Sequence, residues 1–228
     1  MGYVIPPPAV VCLAIRDSAD RFPVHRIFCV GRNYAEHARE MGHDPERDPP
    51  FFFSKPPDAL LPGHGVFPYP RASANVHHEL ELVVALAAGG AEIAPERSHD
   101  HIFGYGIGLD MTRRDRQEEA RKLGRPWDSA KAFDHSAPCS AIMPVSAIGH
   151  PARGSIRLEV NGEPRQDGDL AQMIWKTPDV IAYLSGLFTL VPGDLIFTGT
   201  PKGVGPVQRG DRLEGWIAGV GELRVEVV

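Results

Sequence analysis

The chain has 228 residues, of which 43% are hydrophobic and 23% are charged, and its formal net charge at pH 7 is −5. These values are ordinary for a globular protein of one domain. No basic run indicates nucleic-acid binding, and no apolar stretch approaches the roughly 18 residues that span a bilayer, so neither partner is expected.

The predicted elements begin with a Pro-rich extension, residues 1–23, which carries a strand at 10–15 as one side of a hairpin arm. The first residues lack the charged start and apolar centre of a signal peptide. The main domain is predicted to cover residues 24–228. A cytoplasmic location with reduced thiols is predicted by the odd number and scattered positions of the cysteines, which are Cys12, Cys29 and Cys139.

The main domain is predicted to open with a strand at 24–30 that ends at Gly31. Asn33 then caps a short helix that runs to about Met41, because apolar side chains recur on one helical face. The following stretch, 42–50, is polar and Pro-rich. It cannot form a regular element and predicts a mobile loop.

Apolar and β-branched runs bounded by Gly and Pro predict seven further strands, at 51–54, 77–87, 102–109, 156–160, 195–197, 211–217 and 222–228. The Asn-Gly dipeptide at 161–162 is a strong hairpin signal. Helices are predicted at 112–123 with Thr112 as N-cap, and at 178–188 with Thr177 as N-cap. The sum is a mixed α/β fold that is mainly β. We expect a barrel or folded-over sheet with a few short helices and no alternating βαβ units.

The sharpest chemical feature is the sequence His-Glu-Leu-Glu-Leu at 78–82. Side chains alternate along a strand, so Glu79 and Glu81 point one way while Leu80 and Leu82 point the other way into a core. Neighbouring carboxylates repel each other, and a divalent cation between them removes that repulsion. By itself the pair also fits a solvent-facing strand edge.

Asp110 favours the metal interpretation, because it ends an apolar, glycine-rich strand that is not expected to lie in open solvent. A lone acid at that position is either a helix cap or a ligand. Three carboxylates from two strands form an all-oxygen set that suits Mg²⁺ or Mn²⁺ and leaves positions for water and substrate. The predicted metal ligands are therefore Glu79, Glu81 and Asp110.

A second candidate pair is His37 with Glu40, which share a helical face at i, i+3. A carboxylate beside an imidazole can hold and polarise a water molecule as a general base. The pair also fits a surface salt bridge. Its helix precedes the predicted mobile loop, which is typical of a helix that closes over a site.

Other candidate positions each have two interpretations. The loop 198–205, Thr-Gly-Thr-Pro-Lys-Gly-Val-Gly, offers N–H groups and hydroxyls to an anion or forms tight turns, and it is not a Walker A loop. The glycines of strand 102–109 lack G-x-G-x-x-G spacing, so a dinucleotide site is unsupported. Lys131 is either a partly buried ammonium that faces the carboxylates or the substrate, or a snorkelling surface lysine. Gln117 by itself fits an exposed helix residue.

Several segments, in order from residue 24 to 228, resemble the fumarylacetoacetate hydrolase family. They are CVGRNYAEHAREMG, FFFSKPPDAL, HHELELVVAL, GYGIGLDMTRRDRQ, WDSAKAFD, VNGEPRQ and LIFTGTPKGVGPV. The resemblance is closest to the fumarylpyruvate hydrolases and acylpyruvases of that family. It implies a twisted mixed β-roll that forms homodimers.

The resemblance also implies the roles of individual residues. It implies a Mg²⁺ or Mn²⁺ ion on Glu79, Glu81 and Asp110. It implies a water-activating dyad of His37 and Glu40, on a helix that orders when ligand binds. It further implies ligand contacts from Arg32, Gln117, Lys131 and Thr200.

The activity implied by the resemblance is metal-dependent hydrolysis of an acylpyruvate, most directly fumarylpyruvate, to fumarate and pyruvate in aromatic catabolism. The 2-oxo acid end would chelate the metal, and Lys131 or Gln117 would steady the oxyanion. Oxaloacetate decarboxylation and hydroxy-dienoate isomerisation on the same site are alternatives, and a non-enzymatic metal- or ligand-binding protein is another. A substrate with two carboxylates also needs a distal cation, for which the candidates are Arg39, Lys55, Arg113 and Arg114.

Overall fold

Strands make up most of the regular structure. The computed structural model describes residues 2–35 and 49–228. Its strands in chain order are β1 (Cys12–Ala14), β2 (Arg21–Pro23), β3 (Arg26–Gly31), β4 (Phe51–Lys55), β5 (Leu60–Pro62), β6 (Gly65–Phe67), β7 (Val76–His78), β8 (Leu80–Leu86), β9 (Ile102–Leu109), β10 (Thr112–Arg113), β11 (Ala137–Cys139), β12 (Met143–Pro144), β13 (Ser155–Val160), β14 (Glu163–Asp169), β15 (Asp194–Phe197), β16 (Gly205–Val207), β17 (Arg212–Ile217) and β18 (Gly221–Val227).

The helices are short. The α-helices are α1 (Arg114–Lys122), α2 (Asp128–Lys131), α3 (Val145–Ile148) and α4 (Thr177–Leu187), and single 3₁₀ segments are Pro57–Ala59, Pro95–His101 and Leu170–Gln172. None of these helices, within the described residues, has the length and apolar character to cross a membrane. The predicted helix that follows Asn33 and the predicted loop 42–50 fall largely on residues 36–48, which lie outside the described residues.

The largest sheet has eight strands in the order β4-β3-β15-β8-β9-β11-β5, with β12 beside β9. It is mixed, because β15 runs parallel to β3 and β11 runs parallel to β5 while the other pairs are antiparallel. It curls into a half-barrel. A five-stranded sheet, β14-β13-β17-β18-β6, and a three-stranded sheet, β10-β7-β16, complete the body, and β1 and β2 form a hairpin. The predicted mainly β fold is confirmed.

The core lies on both faces of the large sheet. Every residue of β8 is buried. Leu80 and Leu82 belong to a cluster that includes Leu158 of β13 and Leu213 of β17, whereas Val83 belongs to a second cluster on the opposite face. Strands that are buried on both faces read as continuous apolar runs. The predicted inward direction of Leu80 and Leu82 is therefore confirmed, and β8 is an interior strand rather than an exposed edge.

The N-terminal hairpin arm is present and packs on the second cluster. β1 pairs antiparallel with β2, and Leu13 and Phe22 are buried there. Ile15 bridges to Ile142 beyond β11, which ties the arm to the large sheet. The boundary at residue 23 between extension and domain stays a prediction.

The Asn-Gly hairpin signal is confirmed. β13 and β14 are joined by Asn161 and Gly162, whose φ angles are 56° and 81°. Positive φ at both central residues is the requirement of a type I′ turn, which Asn and Gly meet at low cost.

Two predicted helix starts are wrong by one or two residues. Thr112 lies in β10, and its hydroxyl donates to the Asp110 carbonyl at 3.1 Å instead of capping a helix, so α1 starts two residues later. α4 begins at Thr177 itself, and the backbone N–H of Lys176 donates to the Asp179 carboxylate at 3.2 Å. Thr177 is therefore the first helical residue and not the N-cap.

Candidate metal centre and active-site cavity

Glu79 and Asp110 lie where two neighbouring strands leave the large sheet. The predicted strand 77–87 is divided at Glu79 into β7 and β8, and Asp110 likewise separates β9 from β10. β8 pairs with β9 in the eight-stranded sheet, whereas β7 pairs with β10 in the three-stranded sheet. The Asp110 N–H donates to the Glu79 carbonyl at 2.8 Å, so the ladder continues through the junction. The two carboxylates are thereby fixed side by side at the change of sheet.

Glu81 completes a compact carboxylate cluster with these two residues. One ligand oxygen from each of Glu79, Glu81 and Asp110 lies within 4.8 Å of the others, and all three residues are buried. Glu79 and Glu81 share a face of the β7–β8 segment, as the alternation of side chains along a strand predicted. This arrangement brings together the three predicted metal ligands.

Two of the three carboxylates are paired with buried cations. Lys131 Nζ lies 2.8 Å from Glu79 Oε2 and 2.7 Å from Asp110 Oδ2. Lys55 Nζ lies 2.8 Å from Asp110 Oδ1, and an Arg114 guanidinium nitrogen lies 2.5 Å from Glu79 Oε1. Burial opposes the charged form of Lys131, but the charges of Asp110 and Glu79 outweigh that effect and raise its pKa. Lys131 is therefore a buried ammonium that faces the carboxylates, and the surface interpretation is wrong.

Glu81 has no such cation. Its Oε2 accepts the Gly199 N–H at 2.7 Å, and no lysine, arginine or histidine within the described ranges forms an ion pair with it. Burial and the charges of Asp110 and Glu79 raise the pKa of Glu81 well above its usual range. Either protonation or a bound cation relieves the cost of burying this carboxylate beside two others. Three carboxylates are an oxygen ligand set that fits Mg²⁺ or Mn²⁺.

The carboxylates form the floor of a cavity of about 420 Å³. The four residues to which the resemblance assigned ligand contacts all line this cavity, namely Arg32, Gln117, Lys131 and Thr200. Gln117 is buried on the inner face of α1, where its Oε1 accepts from Arg114. Gln117 is therefore not the exposed helix residue that its position alone suggested.

Arg32 and Thr200 occupy constrained positions in the cavity wall. Arg32 has a φ of 59°, a left-handed conformation that non-glycine residues adopt rarely and often at functional sites. The Thr200 hydroxyl donates to the Leu80 carbonyl at 2.8 Å and accepts from Gln166 at 2.8 Å. The loop 198–205 is thus tied to β8, and its Gly199 N–H serves the Glu81 carboxylate.

The predicted water-activating dyad lies outside the described residues, since both His37 and Glu40 fall within 36–48. The candidate distal cation Arg39 falls there as well. Of the other candidates, Arg114 lines the cavity, whereas Lys55 is buried beneath Asp110 and does not. The Arg113 guanidinium stacks 4.3 Å from the Phe133 ring centre and also lies away from the cavity.

Aromatic residues that the sequence analysis did not single out form one wall of the cavity. Phe51 and Phe53 of β4 both contact Trp127, with ring centres 5.4 Å and 6.0 Å apart. A Cβ atom on Gly31 would lie 2.0 Å from the Phe51 ring, so a larger residue at that position would require the ring to move. In the sequence, the Phe-Phe-Phe run at 51–53 is the signal that could have indicated this aromatic wall.

Three polar cavity residues were also missed, namely His77, Glu118 and Arg121. His77 faces the cavity from β7, and burial together with the charge of Arg114 lowers its pKa to about 4. Arg121 faces the cavity from the last turn of α1. Its spacing of seven residues from Arg114 places it on the same helical face, and this spacing is visible in the sequence.

Comparison with known proteins gives a consistent result. Residues 26–228 match the family model described as fumarylacetoacetate (FAA) hydrolase C-terminal. The crystal structure of fumarylpyruvate hydrolase from Pseudomonas aeruginosa in complex with Mn²⁺ and pyruvate is 52% identical, with a TM-score of 0.98 over 100% of this chain and 99% of that chain.

Relatives with a different described activity also match. The mitochondrial oxaloacetate tautomerase of Mus musculus is 45% identical over 88% of this chain and 90% of its own length. An oxaloacetate tautomerase of Escherichia coli is 45% identical over 84% of this chain and 88% of its own length.

Proposed function

The chain belongs to the fumarylacetoacetate hydrolase family, and from that premise we propose that it hydrolyses a carbon–carbon bond of an acylpyruvate with Mg²⁺ or Mn²⁺. The bond is the one between the methylene carbon and the acyl carbonyl carbon. The preferred substrate is fumarylpyruvate, which gives fumarate and pyruvate. The observation that carries the proposal is the buried cluster of three carboxylates within 4.8 Å, on the floor of a cavity that also holds Lys131.

The similarity to the Pseudomonas aeruginosa enzyme supports this choice. That fumarylpyruvate hydrolase was solved with Mn²⁺ and pyruvate, and pyruvate is one of the two products proposed here. An acylpyruvate offers a carboxylate and a neighbouring 2-oxo group, which are hard oxygen donors of the kind that suit these cations.

Glu79, Glu81 and Asp110 are the proposed metal ligands. When bound, the cation would supply Lewis-acid stabilisation of the negative charge that develops on the departing pyruvate group. Arg32, Gln117 and Thr200 are proposed to hold the substrate, because all three line the cavity. Gln117 and Thr200 are themselves fixed by hydrogen bonds to Arg114, Gln166 and Leu80.

The proposed mechanism uses His37 and Glu40 for proton transfer and Lys131 as a hydrogen-bond donor. His37, oriented by Glu40, takes a proton from water, and the hydroxide attacks the acyl carbonyl carbon. The Lys131 ammonium donates a hydrogen bond to the resulting oxyanion. The carbon–carbon bond then breaks, its electron pair stays with the pyruvate part, and a proton is returned to the methylene carbon.

Tautomerisation of oxaloacetate is a second candidate function. The observation that favours it is the 45% identity to the tautomerases of Mus musculus and Escherichia coli. Oxaloacetate shares the 2-oxo acid end of an acylpyruvate but has no acyl carbonyl for water to attack. A tautomerase therefore needs the metal-binding end of the site without the hydrolytic water.

A substrate panel distinguishes these functions. The purified protein, supplied with Mg²⁺ or Mn²⁺ and separately with chelator, is assayed on fumarylpyruvate, acetylpyruvate, oxaloacetate and a hydroxy-dienoate. The expected result is metal-dependent loss of the enol absorbance of fumarylpyruvate, with fumarate and pyruvate as products. Turnover of oxaloacetate alone, as either tautomerisation or decarboxylation, would replace the hydrolase proposal. Metal binding without turnover of any substrate would favour a binding protein.

A further inference from the structure

We propose that Arg121 binds a distal carboxylate at the far end of the acyl group, so that the enzyme selects acylpyruvates that end in a second carboxylate. The inference rests on the proposed hydrolase function and concerns its substrate class. In this proposal, residues of α1 lie along the substrate from its metal-binding end to its distal carboxylate.

The inner face of α1 spans the cavity. Arg114, Gln117, Glu118 and Arg121 all line it, at spacings of three, four and seven residues that place them on one helical face. At one end of this row, Arg114 contacts the metal-ligand candidate Glu79 at 2.5 Å. Seven residues at about 1.5 Å each carry the helix about 10 Å further, to Arg121.

This length matches a dicarboxylate substrate. Five carbon–carbon bonds separate the 2-oxo carbon of fumarylpyruvate from its distal carboxylate carbon, which is about 6 Å in an extended chain. A metal–oxygen contact of about 2 Å at one end and a hydrogen bond of about 3 Å at the other bring the span to about 11 Å. Acetylpyruvate has only the first part of this chain and cannot reach Arg121.

The distribution of ion pairs also favours Arg121 as the partner of the distal carboxylate. Lys55, Lys131 and Arg114 are each engaged with Asp110 or Glu79, so the cations at the metal end are already compensated. Arg121 is an exposed residue that lines the cavity, and no carboxylate in residues 2–35 and 49–228 forms an ion pair with it. An arginine fork without a carboxylate partner is well suited to bind one on a ligand.

The test compares two substrates in variants that make the same charge change at adjacent positions. Arg121→Met removes the proposed contact. Lys122→Met removes a cation from the same exposed turn of α1, but Lys122 does not line the cavity. For each variant, kcat/KM is measured for fumarylpyruvate and for acetylpyruvate at two salt concentrations, and the ratio of the two kcat/KM values is the readout.

The expected result is a ratio that falls about tenfold in Arg121→Met, mainly through KM for fumarylpyruvate, and that stays near the wild-type value in Lys122→Met. Glu118→Gln, which removes a repelling charge from the same helical face, is expected to raise the ratio by a few-fold.

Equal changes of the ratio in Arg121→Met and Lys122→Met would overturn the inference, because they would reflect general electrostatics. A wild-type enzyme that hydrolyses both substrates without a preference that depends on Arg121 would refute the distal subsite alone. A wild-type enzyme that hydrolyses neither substrate would refute the hydrolase function and the subsite that rests on it.

Discussion

At the scale of single residues, the carboxylate cluster is unevenly compensated. Glu79 and Asp110 each contact two cationic side chains, while Glu81 contacts a backbone N–H. Charge repulsion is therefore concentrated on Glu81. The same residue should gain most from a bound divalent cation.

This asymmetry predicts opposite effects of Glu81→Gln with and without metal. In chelator, the variant should be more stable than the wild type by about 1 kcal/mol, a rise of roughly 2–4 °C in melting temperature, because a buried uncompensated charge is removed. With Mn²⁺ added, the variant should lose both metal binding and activity. Melting curves and calorimetric titration with Mn²⁺ measure these effects.

Glu226→Gln is the matched control, since Glu226 is exposed on β18. Its melting temperature should differ little from that of the wild type in either condition. A Glu81→Gln variant that still binds Mn²⁺ as the wild type does would show that Glu81 is not a ligand.

Lys131 gives a second prediction at this scale. Lys131→Met leaves Glu79 and Asp110 without their shared ammonium, in a site where Lys131 is 3% exposed. Breaking a buried ion pair from one side should cost about 3 kcal/mol in the free energy of unfolding in metal-free protein. Urea denaturation measures this cost. The exposed Lys122→Met variant should change it by less than about 0.5 kcal/mol, and a similar small change in Lys131→Met would contradict the ion-pair account.

At the scale of elements, the glycines of β9 are explained by packing. Added Cβ atoms at Gly104 and Gly108 would lie 2.3 Å from the Met143 carbonyl oxygen and from the Phe197 ring, respectively. These glycines let the Met143 backbone and the Phe197 ring approach β9 closely, before Asp110. The spacing of these glycines is therefore explained by close packing in the sheet that positions the Asp110 carboxylate.

Gly108→Ala should therefore destabilise the protein by about 1–3 kcal/mol, because the buried side chains of Phe197 and Val83 must shift to make room. Gly186→Ala is a matched control with the opposite sign. Gly186 lies within α4 with no atom within 4 Å of an added Cβ, so alanine there should stabilise by about 0.5–1 kcal/mol. Denaturant unfolding of both variants measures the difference. Equal stabilities would show that the close approach to Phe197 relaxes without cost.

At the scale of the whole molecule, the candidate metal centre lies where two sheets meet. The candidate ligands Glu79 and Asp110 lie where β7 and β10 of the three-stranded sheet continue into β8 and β9 of the eight-stranded sheet, and Glu81 lies at the start of β8. A cation bound there stabilises the native state through mass action, because the unfolded chain has no such site.

We therefore expect Mn²⁺ at about 100 times its dissociation constant to raise the free energy of unfolding by about 2.7 kcal/mol. Chelator should reverse the gain completely. Melting curves over a series of Mn²⁺ concentrations measure it, with Ca²⁺ as the comparison ion. A melting temperature that does not depend on Mn²⁺ would remove the metal from the proposal.

The homodimer stays a prediction, which light scattering tests directly.

Much of the fold could be predicted from the sequence because its signals are local. The alternation around Glu79 and Glu81, the Asn-Gly turn at 161–162 and the glycine-spotted strand before Asp110 each depend on neighbouring residues. Backbone geometry fixes what such patterns can form. The three carboxylates could be named as candidate metal ligands for the same reason, since two share a strand face and the third ends an apolar strand.

Only the tertiary structure decided which charges meet. Lys55, Lys131 and Arg114 are far apart in the sequence, yet they surround two of the carboxylates and leave Glu81 without a cation. The break of one predicted strand at Glu79 and the burial of Gln117 also depend on long-range packing. Burial and Coulomb interaction act between groups that are close in space, so no spacing along the chain reveals them.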